Sequence, residues 1–207
     1  MVRFLTEVTG AGDPLDVYAG AVELVEDEIR HTEMCAAICA SLDAPALLPE
    51  PVALVDQPGF LKAPMTERAL ATAITMLGIN ETVSVGYIAD LAARCQNPLI
   101  KQVLDATIDD EDEHQGFGWS YIRQALRRFP PSTLPDWRHL VKTTLAPHEA
   151  FATRALLEVP AERQRLDAWP EPELADLGLF SDQRQAIVYR KTMLEVRRPR
   201  LSELELL

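Results

Sequence analysis

Prolines partition this chain. There are 15, and none falls between Pro14 and Pro45, between Pro64 and Pro98, or between Pro98 and Pro130. Proline breaks a helix interior but is tolerated in the first turn, so these intervals read as three long helices. Asp13 as cap with Pro14 in the first turn opens the first, which is expected to run to about Leu42. Residues 43–65 carry Pro45, Pro49, Pro51, Pro58 and Pro64 and read as a long connection. Thr66 and Glu67 open the second helix, ending near Cys95. Asn97-Pro98 starts a third, which stops at Phe129 before Pro130-Pro131. Ahead of the Thr9–Pro14 break, residues up to Val8 read as the tail of a helix.

Apolar residues make up 47% of the chain, Ala and Leu are abundant, and β-branched runs are scarce, which favours helix over sheet. The expected class is all-α. Beyond residue 130, residues 133–157 read as a helix or two interrupted at Pro147, with short helical pieces around 161–180. Ser181-Asp182 would cap a last amphipathic helix to about Val196. The expected organisation is a helical bundle over 1–130 and a C-terminal helical extension over 131–207. That extension either caps the bundle or forms a homodimer contact.

Charge narrows the function classes. A formal net charge of -12 repels phosphate backbones, so no nucleic-acid partner is expected. The basic residues Arg190, Lys191, Arg197, Arg198 and Arg200 read as a solvated helix face. Cys35, Cys39 and Cys95 have no framework spacing and read as buried thiols of a reducing compartment. No apolar run is read as membrane-spanning, and the N-terminus lacks a signal peptide's apolar core. A cytoplasmic protein without a membrane partner is the expectation.

The chemistry-bearing residues lie on the helical stripes. Of the four histidines, two follow a glutamate by three residues, at Glu28/His31 and Glu111/His114. Side chains three apart in a helix share a face, so a carboxylate and an imidazole can meet one metal ion. The stripe of the first long helix reads Ala21, Leu24, Glu28, His31, Cys35, Ile38, Leu42. The middle helix gives Ile74, Leu77, Glu81, Val85, Ile88. The third gives Ile100, Leu104, Thr107, Glu111, His114, Gly118, Tyr121, Ala125. The other positions are mostly apolar or small, so Glu28, Glu81 and Glu111 are expected to face inward. Uncompensated buried carboxylates cost several kcal/mol each against a total stability of about 5–15 kcal/mol. No Lys or Arg lies on the stripes near them, and a metal dication would supply the missing charge. The competing account of each motif is a hydrogen-bonded Glu–His couple.

The pattern resembles the ferritin-like diiron carboxylate proteins, in which two helices each give one glutamate and two others each give Glu-x-x-His. Asp27-Glu28-Ile29-Arg30-His31 and Asp110-Glu111-Asp112-Glu113-His114 resemble the Glu-x-x-His helices, and Asn80-Glu81-Thr82 a lone-glutamate helix. The likeness covers residues 10–129 and is nearest to bacterial ferritin-like domain proteins, more distantly to diiron N-oxygenases. It implies a ferritin-like bundle with a truncated or missing first helix, because the first-helix glutamate falls upstream of Met1. Glu7 lies near a helix end, and Glu23, Glu26 and Glu33 lie off the stripe. The extra histidine of the N-oxygenases corresponds to Thr107, which weakens that activity.

By the resemblance, Glu28, His31, Glu81, Glu111 and His114 are metal ligands, with the three glutamates the catalytic-site carboxylates. The ion is iron, two if the site is complete, with manganese or a mixed pair as alternatives. The expected activity is oxidation of a small organic substrate with O2. The alternatives are ferrous-iron oxidation for iron handling, or a degenerate bundle serving as an interaction scaffold. Tyr87, Trp119 and Tyr121 read as packing aromatics or an electron relay. Gly78, Ser84, Gly116 and Gly118 read as space beside the ligands or as close helix packing. Asp136 reads as a helix cap despite its spacing from His139, and His148 as a surface or helix-start residue.

Overall fold

The computed structural model describes residues 1–45, 58–157 and 168–207, and among these every regular element is helical. Of the expected connection over 43–65, residues 46–57 lie outside the described residues. So do residues 158–167, where the helical pieces around 161–180 would begin. The chain forms two compact units, Met1–Thr72 and Ala73–Leu207. The expected boundary near residue 130 falls inside the second unit, between its second helix and the next.

In the first unit, α1 (Val2–Ala11) packs on α2 (Leu15–Ser41) and on α4 (Met65–Thr72), with the short α3 (Pro58–Lys62) before α4. The break at Thr9–Pro14 is tighter than expected: α1 continues through Gly10 to Ala11, and Gly12 at φ +70° ends it. Only glycine takes that left-handed cap without strain. Pro14 rather than Asp13 occupies the position before α2, and Asp13 is buried. Glu7 is fully buried and pairs with Arg68 at 3.4 Å, whose guanidinium lies over the Phe60 ring. α2 buries Ala21, Leu24 and His31 as expected. The second half departs from the stripe, because Cys35 and Leu42 are exposed and Cys39 is half-buried. Of the three thiols only Cys95 is buried, which corrects the expectation of uniformly buried cysteines.

The second unit opens with a π-helical segment, Ala73–Asn80, followed by α5 (Glu81–Arg94), α6 (Pro98–Leu126) and α7 (Leu134–Leu157). Then come α8 (Glu171–Ala175), α9 (Asp182–Thr192), a second π-helical segment Met193–Arg197, and α10 (Arg198–Glu203). α6 begins as its sequence requires: Asn97 Oδ1 accepts from the backbone N–H of Leu99 and Ile100, with Pro98 in the first turn. α5 packs on α6 and α9, and α7 packs on α9. Val83, Ala152, Ala155, Ala186, Tyr189 and Met193 form a core between them.

Local readings fail in the third quarter of the chain. Pro147 lies inside α7 without interrupting it, and Asp136 sits in that helix's first turn rather than capping it. An interior proline costs about 3 kcal/mol. Here Leu145 on one side of it, and Phe151, Ala152 and Ala155 on the other, all pack on the core with α9, and that burial offsets the loss. Ser181 does cap α9, accepting from Arg184 N at 3.1 Å. Helical structure then continues beyond the expected end at Val196, through the second π-helical segment to Glu203.

The helix Met65–Arg94 contains an 18-residue window of mean hydropathy 1.2, long and apolar enough to cross a membrane by length and composition. This corrects the reading that no such stretch exists. Of that window, 61% is buried inside the protein, as in a core helix.

Candidate metal centre

Glu81 heads α5 directly after the π-helical segment. A π turn carries extra residues per turn and rotates the helix beyond it, and such turns recur at functional sites. Here the consequence is burial nearly all round the helix: Leu77, Gly78, Ile79, Glu81, Thr82 and Val83 are all buried. Two glycines allow this. A Cβ on Gly118 would sit 2.6 Å from Leu77 Cβ and 3.0 Å from its backbone, and one on Gly78 would sit 2.7 Å from Ile122 Cδ1. Gly78 and Gly118 are therefore close-packing positions, not open space, while Gly116 is exposed.

The π-helical segment is pinned by side chains on both flanks. Thr82 Oγ1 donates to the Gly78 carbonyl at 2.7 Å and accepts from Trp119 Nε1 at 3.1 Å. Arg197 Nη2 donates to the Ile79 carbonyl at 2.8 Å from the second π-helical segment. Arg197 is fully buried, which corrects its assignment to a solvated face. Burial holds its pKa below the ordinary arginine value, against the opposing influence of Tyr189, Tyr87 and Glu149. Tyr189 lies under its guanidinium, stacks on His148 and donates to Glu149 Oε1 at 3.1 Å. His148 is thus not at a helix start. It lies half-buried within α7, with Nε2 3.3 Å from Asn80 Oδ1. Burial chiefly, with Arg197, lowers its pKa, while Glu149 opposes.

Within this frame α5 and α6 converge. Glu81, Glu111 and His114 are only 6%, 4% and 3% exposed. Each presents one ligand atom, and these atoms lie within 4.8 Å of one another. His114 Nδ1 is 3.4 Å from Glu111 Oε2. Two carboxylates at that separation repel by about 3–4 kcal/mol at an effective dielectric near 20. Ligands about 2.1 Å from a common ion stand at most about 4.2 Å apart, close to the spacing of this set. The donor set, two carboxylates and an imidazole, fits iron or manganese.

The other two expected ligands belong to the first unit. Glu28 and His31 share a face of α2, with Glu28 half-buried and His31 buried. Of the accessory aromatics, Trp119 and Tyr121 are buried, and Tyr87 is half-buried with its ring 5.6 Å from Phe180. Sequence reasoning missed Arg197, His148 and Tyr189. An arginine amid charged neighbours carries no sign of burial, and only the interruption of helical register at two π turns brings it inward.

No family model, no curated protein and no solved structure matches this chain.

Proposed function

We propose that the chain is a metal-dependent oxidoreductase of ferritin-like diiron type, acting on a small organic substrate with O2. Glu81, Glu111 and His114 form the core of its site. The observation that carries the reading is the convergence of two buried carboxylates and a buried imidazole in the second unit. Bringing like charges together out of water is costly, and a dication reverses the sign of that cost. Bound iron would supply oxygen activation, with manganese as the alternative occupant.

The chain's own residues divide the remaining work. Glu81 and Glu111 carry the negative charge that retains a cation, and His114 supplies a nitrogen donor beside Glu111. Trp119 and Thr82 fix α5 against α6, and Arg197 holds the π-helical segment that directly precedes Glu81. Leu77, Ile79 and Ile122 on the same helices are fully buried.

Metal content of protein purified without chelators, measured by plasma mass spectrometry, tests this. The expected result is near-stoichiometric iron or manganese, lost in Glu111→Ala and in His114→Ala. Ferrous ion should raise the melting temperature of the wild type and not of Glu111→Ala. A folded protein that takes up neither metal would remove the reading.

A further inference from the structure

We propose that a groove among α5, α6, α9 and the second π-helical segment binds an uncharged small molecule with an amide-like head on a short apolar body. We further infer that this molecule is the substrate of the metal centre, and only this second step rests on the function proposed above. The groove encloses about 370 Å³, at the small end of the roughly 300–1,000 Å³ range of ligand pockets. At protein-like packing that suits roughly ten to fifteen non-hydrogen atoms.

Its polar groups define the head. Thr82, Gln115 and Thr192 line it, at 1%, 7% and 8% exposure. The Thr82 hydroxyl is engaged by Gly78 and Trp119. The Gln115 carboxamide and the Thr192 hydroxyl make no hydrogen bond to any described residue and line the groove, where a ligand can reach them. A ligand that pairs with them takes the place of the water such groups otherwise bind, and must reproduce its hydrogen bonds. A carboxamide presents a donor and an acceptor side by side. The edge that matches it is a primary amide, a lactam or a protonated carboxylic acid.

The rest of the lining defines the body and excludes charge. Val85, Ile187 and Val188 form apolar walls. Arg184 is committed to both oxygens of Asp90, and Lys191 stands 3.9 Å from Glu195. The charged rim is therefore balanced, with Arg184 and Lys191 set against Asp90 and Glu195. Thr82 and Gln115 directly follow Glu81 and His114, so the groove is built on the same turns of α5 and α6 as the proposed ligands.

The test is isothermal titration of the full-length, chelator-treated protein with 4-phenylbutanamide and with 4-phenylbutanoate at pH 7.5. The amide should bind saturably, and the carboxylate about tenfold or more weaker. Gln115→Leu and Thr192→Val, both near-isosteric, should each weaken the amide by about three- to tenfold. Ala89→Phe, at an exposed position of the lining, should block it. Absence of saturable amide binding, or affinity unchanged in both polar variants, overturns the site. Thr192→Val keeps the test decisive if Gln115→Leu does not fold. Amide binding by a protein that never takes up metal sustains the site and sinks the metal reading. Metal uptake without amide binding does the reverse. With Co2+ loaded, paramagnetic relaxation of the bound probe's protons supports the substrate assignment, and its absence overturns that step.

Discussion

Replacing Gly118 with alanine tests the contact that sets the spacing of the candidate site. In an unconstrained helix this change is favourable, because alanine exceeds glycine in helix propensity by about 1 kcal/mol. At Gly118 the new Cβ would lie 2.6 Å from Leu77 Cβ and 3.0 Å from the Leu77 carbonyl carbon and oxygen. Two of those atoms are backbone, so the π-helical segment itself must move. Overpacking of this kind costs about 1–3 kcal/mol, and the backbone contact places it at the upper end. The net expectation is a loss of about 1–2 kcal/mol, or about 2–8 °C in melting temperature for a chain of this size. Gly116 is the internal control. It lies two residues away on the same helix with nothing within 4 Å of an added Cβ, so alanine there should stabilise by about 0.5–1 kcal/mol.

The assay is urea unfolding monitored by tryptophan fluorescence, which reports the second unit because Trp119, Trp137 and Trp169 all lie there. Co2+ titration supplies a second readout. Gly118→Ala should weaken metal binding, since it forces Leu77, four residues before Glu81, away from the helix carrying Glu111 and His114. Gly116→Ala should not. Equal stability of the two variants would refute the packing argument whatever the metal does. A destabilised Gly118→Ala with unchanged metal affinity would show that the contact is structural and leaves the ligands alone.

The buried network and the thiols make further outcomes measurable. Arg197→Leu removes the donor to the Ile79 carbonyl and should cost about 1–3 kcal/mol by the same unfolding assay. His148 has a folded-state pKa below its unfolded value, so in the window beneath about 6.5 the unfolded chain binds a proton that the native one does not. Stability should therefore fall as pH drops through that window, and His148→Gln should flatten the slope in urea midpoints taken from pH 7 to 5. Maleimide labelling of the native protein, read by mass spectrometry, should modify Cys35 first, Cys39 next and Cys95 only after unfolding, in the order of their exposure.

The features that were legible in the sequence and those that were not divide along a physical line. Proline placement and apolar period located the long helices to within a few residues, because each of those signals acts locally. α6 starts at Pro98 with Asn97 as its cap, as expected, and Ser181 caps α9. The inward-facing set Glu81, Glu111 and His114 was legible for the same reason: a helical stripe is a one-dimensional property. Misreadings arose where tertiary packing overrode a local rule. Pro147 should stop a helix, yet both of its flanks bury residues against α9 and α7 runs on. Cys35 should be buried by its place on a stripe, yet the second half of α2 leaves it exposed.

The hidden part matters most for the site. A π turn has no compositional signature comparable to a proline, and the described residues contain two, at Ala73–Asn80 and Met193–Arg197. They are joined by the bond from the Arg197 guanidinium to the Ile79 carbonyl. A widened helical turn loosens the alignment of its own carbonyls, and a long, many-donor side chain is suited to engage one from outside. The arginine must then be buried, and the site around it must supply Tyr189, Met193 and a carbonyl in place of water. The π-helical segment that precedes Glu81 is thus held in part by a residue 116 positions beyond that glutamate, a contact that local spacing does not encode.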